Sequence, residues 1–132
     1  MISLALLSVT FLSSCKKEEG CTDPTALNFD PDAEKDNSSC QYKGKATFWN
    51  HESNGFCNVA VSINGLPIGV ITLDYTGAPD CGANGAVTYE ANPGAYSYTA
   101  TEEDCDGDGL VSTWAGTINI TSNGCLTQQL TQ

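Results

Sequence analysis

The sequence predicts an all-β protein whose main domain is an antiparallel β-sandwich of about seven strands with three disulfides. From Lys43 onward, short runs of alternating apolar and polar residues are separated by Gly and Asn turns. No segment shows convincing helical periodicity. The 132-residue chain contains seven cysteines, a number typical of proteins exported to an oxidising compartment.

The chain begins with an apolar run, Met1 to Leu12, that is too short to cross a bilayer and is typical of a secretory signal. The segment Leu12-Ser13-Ser14-Cys15 resembles a bacterial lipobox. This resemblance implies that residues 1–14 are a signal peptide and that Cys15 carries the lipid anchor, including palmitate. Lipidation of Cys15 also leaves six cysteines, which is enough for three disulfides.

Residues 15–19 form a charged tether in which Lys16-Lys17-Glu18-Glu19 follows the anchor. A short charged run is typical of a solvated linker. The run also resembles the signal that directs lipoproteins of Bacteroidota to the outer face of the outer membrane. The second interpretation implies a lipid-anchored protein exposed at the cell surface.

Residues 20–42 form a separate irregular module with a cysteine near each end and two Asp-Pro turns. We predict a Cys21–Cys40 disulfide, which would stabilise the module by about 3 kcal/mol through the entropy of the unfolded chain. The segment from Gly20 to Cys40 resembles a short module of Bacteroidota surface proteins. This copy differs from that pattern at Phe29, where the pattern has Tyr, and at Asn37-Ser38, where it has Asp-Gly.

Carboxylate and amide side chains are concentrated in this module, and they are the hard oxygen ligands that Ca²⁺ prefers. The candidate calcium-binding carboxylates are Asp23, Asp30, Asp32 and Asp36, with the amide of Asn28 beside them. Asp and Asn also form ordinary turns by bonding the local backbone. Both interpretations stay open at this point.

Seven alternating segments within residues 43–132 are predicted as the strands of the sandwich. They are residues 45–50, 58–64, 66–73, 85–91, 95–101, 111–120 and 126–130. Asn64-Gly65 is a strong signal for a two-residue hairpin. Further turns are expected at Asn92-Pro93-Gly94, which we interpret as a hairpin, and at Asn123-Gly124.

The hairpin interpretation leads to a disulfide assignment. If the chain turns near Pro93, Cys81 and Cys105 face each other, so we predict a Cys81–Cys105 disulfide. Cys57 and Cys125 then pair by elimination, which predicts a Cys57–Cys125 disulfide. Six cysteines allow fifteen pairings, and this assignment depends entirely on the hairpin.

The hairpin tract from Asn92 to Ala100 resembles that of small transthyretin-like and PEGA-type sandwiches. Gly69 and the Trp114-x-Gly116-x-Ile118 strand resemble a cysteine-containing sandwich of Bacteroidota lipoproteins. Trp114 is expected in the core because it shares a face with Ile118 and Ile120. These resemblances imply a fold and a location, and they imply no activity.

The net charge of −11 is unevenly distributed along the chain. All five lysines precede Ala46, whereas residues 46–132 contain nine Asp and Glu and no Lys or Arg. Such a surface repels phosphate backbones, so nucleic acid is excluded as a partner. It attracts cations, although a solubility role explains the same composition.

Residues 104–112 follow the first nine positions of an EF-hand-like calcium loop, with Asp104, Asp106 and Asp108 at positions one, three and five. Ala115 occupies position twelve, where such a loop carries a bidentate Glu. The pattern therefore predicts either a weaker extracellular calcium site or a solvated acidic loop.

Enzymatic activity is not predicted. The single histidine, His51, has no nucleophile or zinc-ligand spacing around it. Trp49 is the candidate ligand-binding residue, because alternation places it opposite Ala46 and Phe48, where it could stack on a sugar or pack against the domain. The sequence therefore predicts a non-enzymatic surface lipoprotein that acts as an adhesion, interaction or structural module with a protein or glycan partner. The alternative is a small carbohydrate-binding lipoprotein that accompanies a nutrient-uptake system.

Overall fold

The computed structural model describes residues 16–52 and 55–131. The predicted signal peptide and the anchor residue Cys15 lie outside these residues. The described chain forms nine strands: β1 (Glu19–Gly20), β2 (Lys35–Asp36), β3 (Gly44–Trp49), β4 (Val59–Ile63), β5 (Leu66–Ile71), β6 (Val87–Ala91), β7 (Gly94–Glu102), β8 (Thr113–Ile120) and β9 (Cys125–Gln129). Within the same residues, no helix is long and apolar enough to span a bilayer.

All seven predicted strands of the sandwich are confirmed, with ends that differ by at most two residues. The predicted turn at Asn64-Gly65 is also confirmed, since both residues have positive φ angles, 49° and 79°. The two-residue differences are at the end of β5 and at the starts of β6 and β8, and β6 begins at Val87 rather than at residue 85. Gly85 has a φ of 79°, and the Ala86 amide donates to Ala83, so these residues complete a turn before the strand begins.

The strands form two sheets, with the orders β6-β3-β9 and β5-β4-β7-β8. Neighbouring strands of both sheets are antiparallel except β3 and β9, which run parallel through Lys45↔Cys125 to Trp49↔Gln129. β3 therefore lies at the centre of the smaller sheet, between β6 and the last strand of the chain. The first and last strands of the sandwich are joined directly.

The core lies between the two sheets and is built from the alternating apolar positions that the sequence indicates. Phe48 on β3 is fully buried and its ring lies 5.1 Å from the ring of Tyr98 on β7. Gly116 on β8 is paired with Tyr98, and a Cβ there would lie 2.9 Å from the Tyr98 ring, so glycine provides space for that ring. The predicted core position of Trp114 is confirmed. The buried cluster contains Ala46, Phe48, Val59, Val61, Ile63, Ile71, Val87, Ala91, Tyr98, Ala100, Trp114, Ile118, Ile120 and Leu130.

The outer face of the smaller sheet is covered by the segment between β5 and β6. The Gly82 amide donates to the hydroxyls of Thr47 on β3 and Thr88 on β6, at 3.3 and 3.0 Å. Thr47 is consequently 0% exposed. Trp49 lies two residues along the same strand, and only 7% of its surface is exposed. Of the two alternatives for Trp49, the structure therefore supports packing against the domain and not an exposed sugar-stacking surface.

Two of the three predicted disulfides are wrong. The structure confirms Cys21–Cys40 but pairs Cys57 with Cys105 and Cys81 with Cys125. The predicted Cys81–Cys105 and Cys57–Cys125 pairs assumed a hairpin at Pro93. β6 and β7 instead belong to different sheets, so residues 92–93 link the sheets and no register connects Cys81 with Cys105.

The observed pairings follow from the strands that do pair. Val59 lies opposite Glu102 on β7, so the short extensions beyond these residues bring Cys57 and Cys105 together. Cys125 begins β9, whose neighbour β3 is covered by the segment that carries Cys81. This second disulfide fastens the covering segment to the sheet.

The irregular module is closed by Cys21–Cys40 and by the short parallel pair β1–β2, which the sequence does not predict. The Glu18 carbonyl accepts hydrogen bonds from the amides of Glu34 and Lys35. Tyr42 connects the module to the sandwich, since its amide donates to the Ser122 hydroxyl at 2.8 Å. Within the described residues, Glu18 is the first to take part in a backbone hydrogen bond of the module.

Candidate functional site

The acidic side chains of the module are used mainly to form turns. Asp23 accepts from the amide and hydroxyl of Thr25, Asp30 accepts from the Asp32 amide, and Asp36 accepts from the Ser38 amide. Asn28 bridges two points of the chain, because it accepts from the Gln41 amide and donates to the Ser39 carbonyl. The structure does not bring Asp23, Asp30, Asp32 and Asp36 into one cluster of potential metal ligands. These contacts favour the turn interpretation.

Asp23 has a second, longer-range role because its other carboxylate oxygen accepts a hydrogen bond from the Tyr42 hydroxyl at 2.6 Å. This bond, followed by the two bonds from Thr25, lowers the pKa of Asp23 below 3.8. The same bond raises the pKa of Tyr42 above 10.0, because the phenol must remain protonated to donate. Asp23 thereby joins the module to the segment that leads into β3.

Tyr42→Phe is expected to raise the pKa of Asp23 toward its ordinary value, measured by NMR titration of the carboxyl carbon. A carboxylate with a lowered pKa in the folded state stabilises the fold above its unfolded pKa, and this contribution is lost as pH falls through the folded value. The acid sensitivity of the module below pH 3.8 should therefore decrease in the variant. Tyr75→Phe is the matched control, since Tyr75 donates to the Asn84 carbonyl and should leave Asp23 unchanged.

The acidic loop between β7 and β8 does bring its three predicted carboxylates together. Oxygen atoms of Asp104, Asp106 and Asp108 lie within 4.8 Å of one another, the one such group among residues 16–52 and 55–131. All three side chains are exposed. Each also accepts from the local backbone: Asp104 from Gly107 and Gly109, Asp106 from Asp108, and Asp108 from Leu110. The geometry is compatible both with a cation site and with an acidic loop held by its own turns.

A second group of carboxyls, which the sequence analysis did not single out, lies at the base of this loop. Glu52 follows β3 and Glu102 ends β7, and the two side chains are close enough for the charge of Glu102 to act on Glu52. The pKa of Glu52 is raised, first by burial and then by the negative charge of Glu102. Glu102 also accepts from the Ser112 amide at 3.0 Å, which ties it to the end of the acidic loop.

An open cleft of about 600 Å³ lies beside these carboxyls, between the segment after β3 and the β7–β8 loop. Cys57, which is bonded to Cys105, is among the residues that line it. The residues around the cleft include both acidic and apolar side chains: Glu52, Glu102, Asp106, Asp108, Leu110 and Val111. It includes two of the three clustered aspartates, Asp106 and Asp108.

His51 lies close to this region and faces a carboxylate. Its Nδ1 atom is 3.1 Å from both oxygens of Asp74, and Asp74 also accepts from the Glu52 amide at 3.0 Å. The Glu52 amide, followed by the His51 ring, lowers the pKa of Asp74 against the opposing effect of burial. This arrangement anchors the end of β3 to the segment after β5.

Trp49 does not provide a binding surface, since only 7% of it is exposed. The carbohydrate-binding alternative depended on this side chain, so it has lost the residue that supported it. Cys15 lies outside the described residues, and its lipidation stays a prediction. Comparison of the chain with protein-family models, with curated proteins and with solved structures finds no match.

Proposed function

We propose that this chain is a non-enzymatic lipoprotein of the outer membrane, anchored through Cys15 and displayed at the cell surface as an interaction or adhesion module. One structural observation supports the proposal most directly. Among the described residues, the module is already hydrogen-bonded at Glu18, whose carbonyl accepts from the amides of Glu34 and Lys35. Only Lys16 and Lys17 separate this point from Cys15, so the domain would lie within about 10 Å of its anchor.

The three disulfides support export to an oxidising compartment. The uneven charge supports display away from an anionic bilayer, because residues 46–132 carry no Lys or Arg. The closed module would then act as a short, covalently stabilised base for the sandwich, and the loops of the sandwich would be available to partners.

Metabolic labelling with palmitate in a Bacteroidota host tests the anchor. The wild-type chain is expected to incorporate the label, and Cys15→Ser is expected to lose it. The Cys21→Ser, Cys40→Ser variant, which removes thiols from the module alone, should remain labelled. External protease should degrade the wild-type domain on intact cells, which tests display at the surface. Palmitate label retained by Cys15→Ser would contradict the proposed anchor.

The prediction of calcium binding now concerns the 104–108 loop alone. We expect millimolar calcium to raise the melting temperature of the wild-type protein relative to EDTA, because a ligand at one hundred times its dissociation constant stabilises the folded state by about 2.7 kcal/mol. Asp106→Ala with Asp108→Ala should abolish the rise. Asp30→Asn with Asp32→Asn should preserve it, because the module carboxylates are not clustered. Equal melting temperatures in calcium and EDTA would leave the three aspartates as turn residues.

A further inference from the structure

The cleft beside the acidic loop is lined by both carboxyl groups and exposed apolar side chains. Leu110 and Val111 are 76% and 47% exposed and form an apolar part of its lining. The Leu110 amide donates to Asp108 at 2.7 Å, so the backbone that carries this apolar pair is tied to an acidic residue of the same cleft. Exposed apolar side chains beside a concave, charged surface are typical of a binding site.

Residues 46–132 contain no Lys or Arg that could offset the negative charge of the cleft. All lysines of the chain precede Ala46, and Lys35 and Lys45 already face Glu19 and Glu90. Glu52 has two acidic neighbours, Glu102 and Asp74, and burial together with the charge of Glu102 raises its pKa. The cleft thus contains carboxyls that repel one another and that an external cation would stabilise.

We propose that this cleft binds a lysine side chain in an extended segment of a partner protein. The apolar stem of the lysine would lie against Leu110 and Val111, and its ammonium group would lie among the carboxyl groups that line the same cleft, Glu52, Glu102, Asp106 and Asp108. Lysine matches both surfaces, because its four-carbon stem buries apolar area while its head carries three donors. Calcium bound by Asp104, Asp106 and Asp108 would compete with the lysine for two of these carboxylates and would leave the apolar pair uncovered, so peptide binding is measured in EDTA.

This inference rests on the proposed role as a surface interaction module and names the partner chemistry of that module. The charge complementarity would also accelerate association and make it sensitive to salt. The cleft is open to solvent, so a side chain on an extended segment can enter it without rearrangement of either sheet.

The test is the fluorescence anisotropy of a labelled peptide of alternating Lys and Ala, titrated in EDTA with the full-length protein in mild detergent. A peptide with Gln in place of Lys should bind at least about tenfold more weakly, a factor that corresponds to about 1.4 kcal/mol. Leu110→Ser with Val111→Ser should weaken Lys-peptide binding severalfold without any change in charge. Spermine, which has charge without a peptide backbone, should compete only weakly.

Two matched double variants distinguish the effect of charge inside the cleft from the effect of net charge. Asp106→Asn with Asp108→Asn removes two charges inside the cleft, and Asp80→Asn with Glu90→Gln removes two outside it. Only the first pair should weaken binding at constant ionic strength. Equal losses in both pairs, or no effect of Leu110→Ser with Val111→Ser, would overturn the inference. If the wild-type protein incorporates palmitate but does not bind the peptide, lysine binding in the cleft is refuted and lipidation of Cys15 is not. If it binds the peptide but does not incorporate palmitate, lipidation of Cys15 is refuted and lysine binding is not.

Discussion

Cys81→Ser with Cys125→Ser is expected to lower the free energy of unfolding by about 4 kcal/mol, because the disulfide closes a 44-residue loop of the unfolded chain. Such a loss is a large share of the total stability of a small domain, which is about 5 to 15 kcal/mol. Guanidinium unfolding of the oxidised protein measures it. The covering segment between β5 and β6 should also lose its attachment to β9, which would expose Thr47 and Trp49.

Two further double variants test whether the loss of stability reflects the observed disulfide pairing. Cys57→Ser with Cys105→Ser removes the other sandwich disulfide, which closes a loop of similar length, 48 residues, and should cost about the same. Cys57→Ser with Cys125→Ser breaks both bridges and leaves two free thiols, so it should be more destabilising than either. If this variant instead lost one bridge and had no reactive thiols, the pairings in the structure would be wrong.

A strand with one buried face, such as β4, is predictable from alternation. Val59, Val61 and Ile63 alternate with more exposed residues, and this period of two identifies a strand and its inward side. Alternation does not identify the neighbouring strand. The two residues between β6 and β7 look like a hairpin turn in the sequence, yet they lead from one sheet to the other. The two wrong disulfides followed from this single error of topology.

The parallel pairing of β3 with β9 and the burial of Trp49 have the same cause. Both depend on contacts between residues far apart in the chain, which no local pattern contains. The face of β3 that carries Thr47 and Trp49 mixes polar and apolar residues, as a solvated surface does. It is buried because Gly82 and its neighbours fold across it. A covering segment without strand periodicity gives no signal of where it docks.

The candidate site was predictable only where its residues are close in sequence. Asp104, Asp106 and Asp108 form a recognisable spacing, and the structure brings them together. Glu52 and Glu102 meet only because β3 and β7 end on the same side of the sandwich. A single glutamate after a strand is too common to attract attention. The apolar pair after the loop was equally visible in the sequence, but its exposure was not.

Phe48→Ala is expected to lower the free energy of unfolding by about 3 to 5 kcal/mol, the usual range for removal of a buried phenylalanine. Phe48 is 0% exposed, lies on the central strand of the smaller sheet and packs against Tyr98 of the larger one. Its removal would therefore leave a cavity between the sheets, which the strand pairing on both sides of β3 prevents from closing. Chemical unfolding measures the loss.

Phe29→Ala makes the same chemical change at a residue of the module that is 42% exposed. It should cost less than about 1 kcal/mol, because partial exposure leaves less apolar area to lose and lets the site collapse. Phe48→Leu should fall between the two, since leucine fills part of the cavity. Equal losses for Phe48→Ala and Phe29→Ala would mean that the sheets do not pack through Phe48. A large loss of unfolding free energy for Phe48→Ala alone would show that the two sheets pack against each other through Phe48. The position of the cleft depends on this packing.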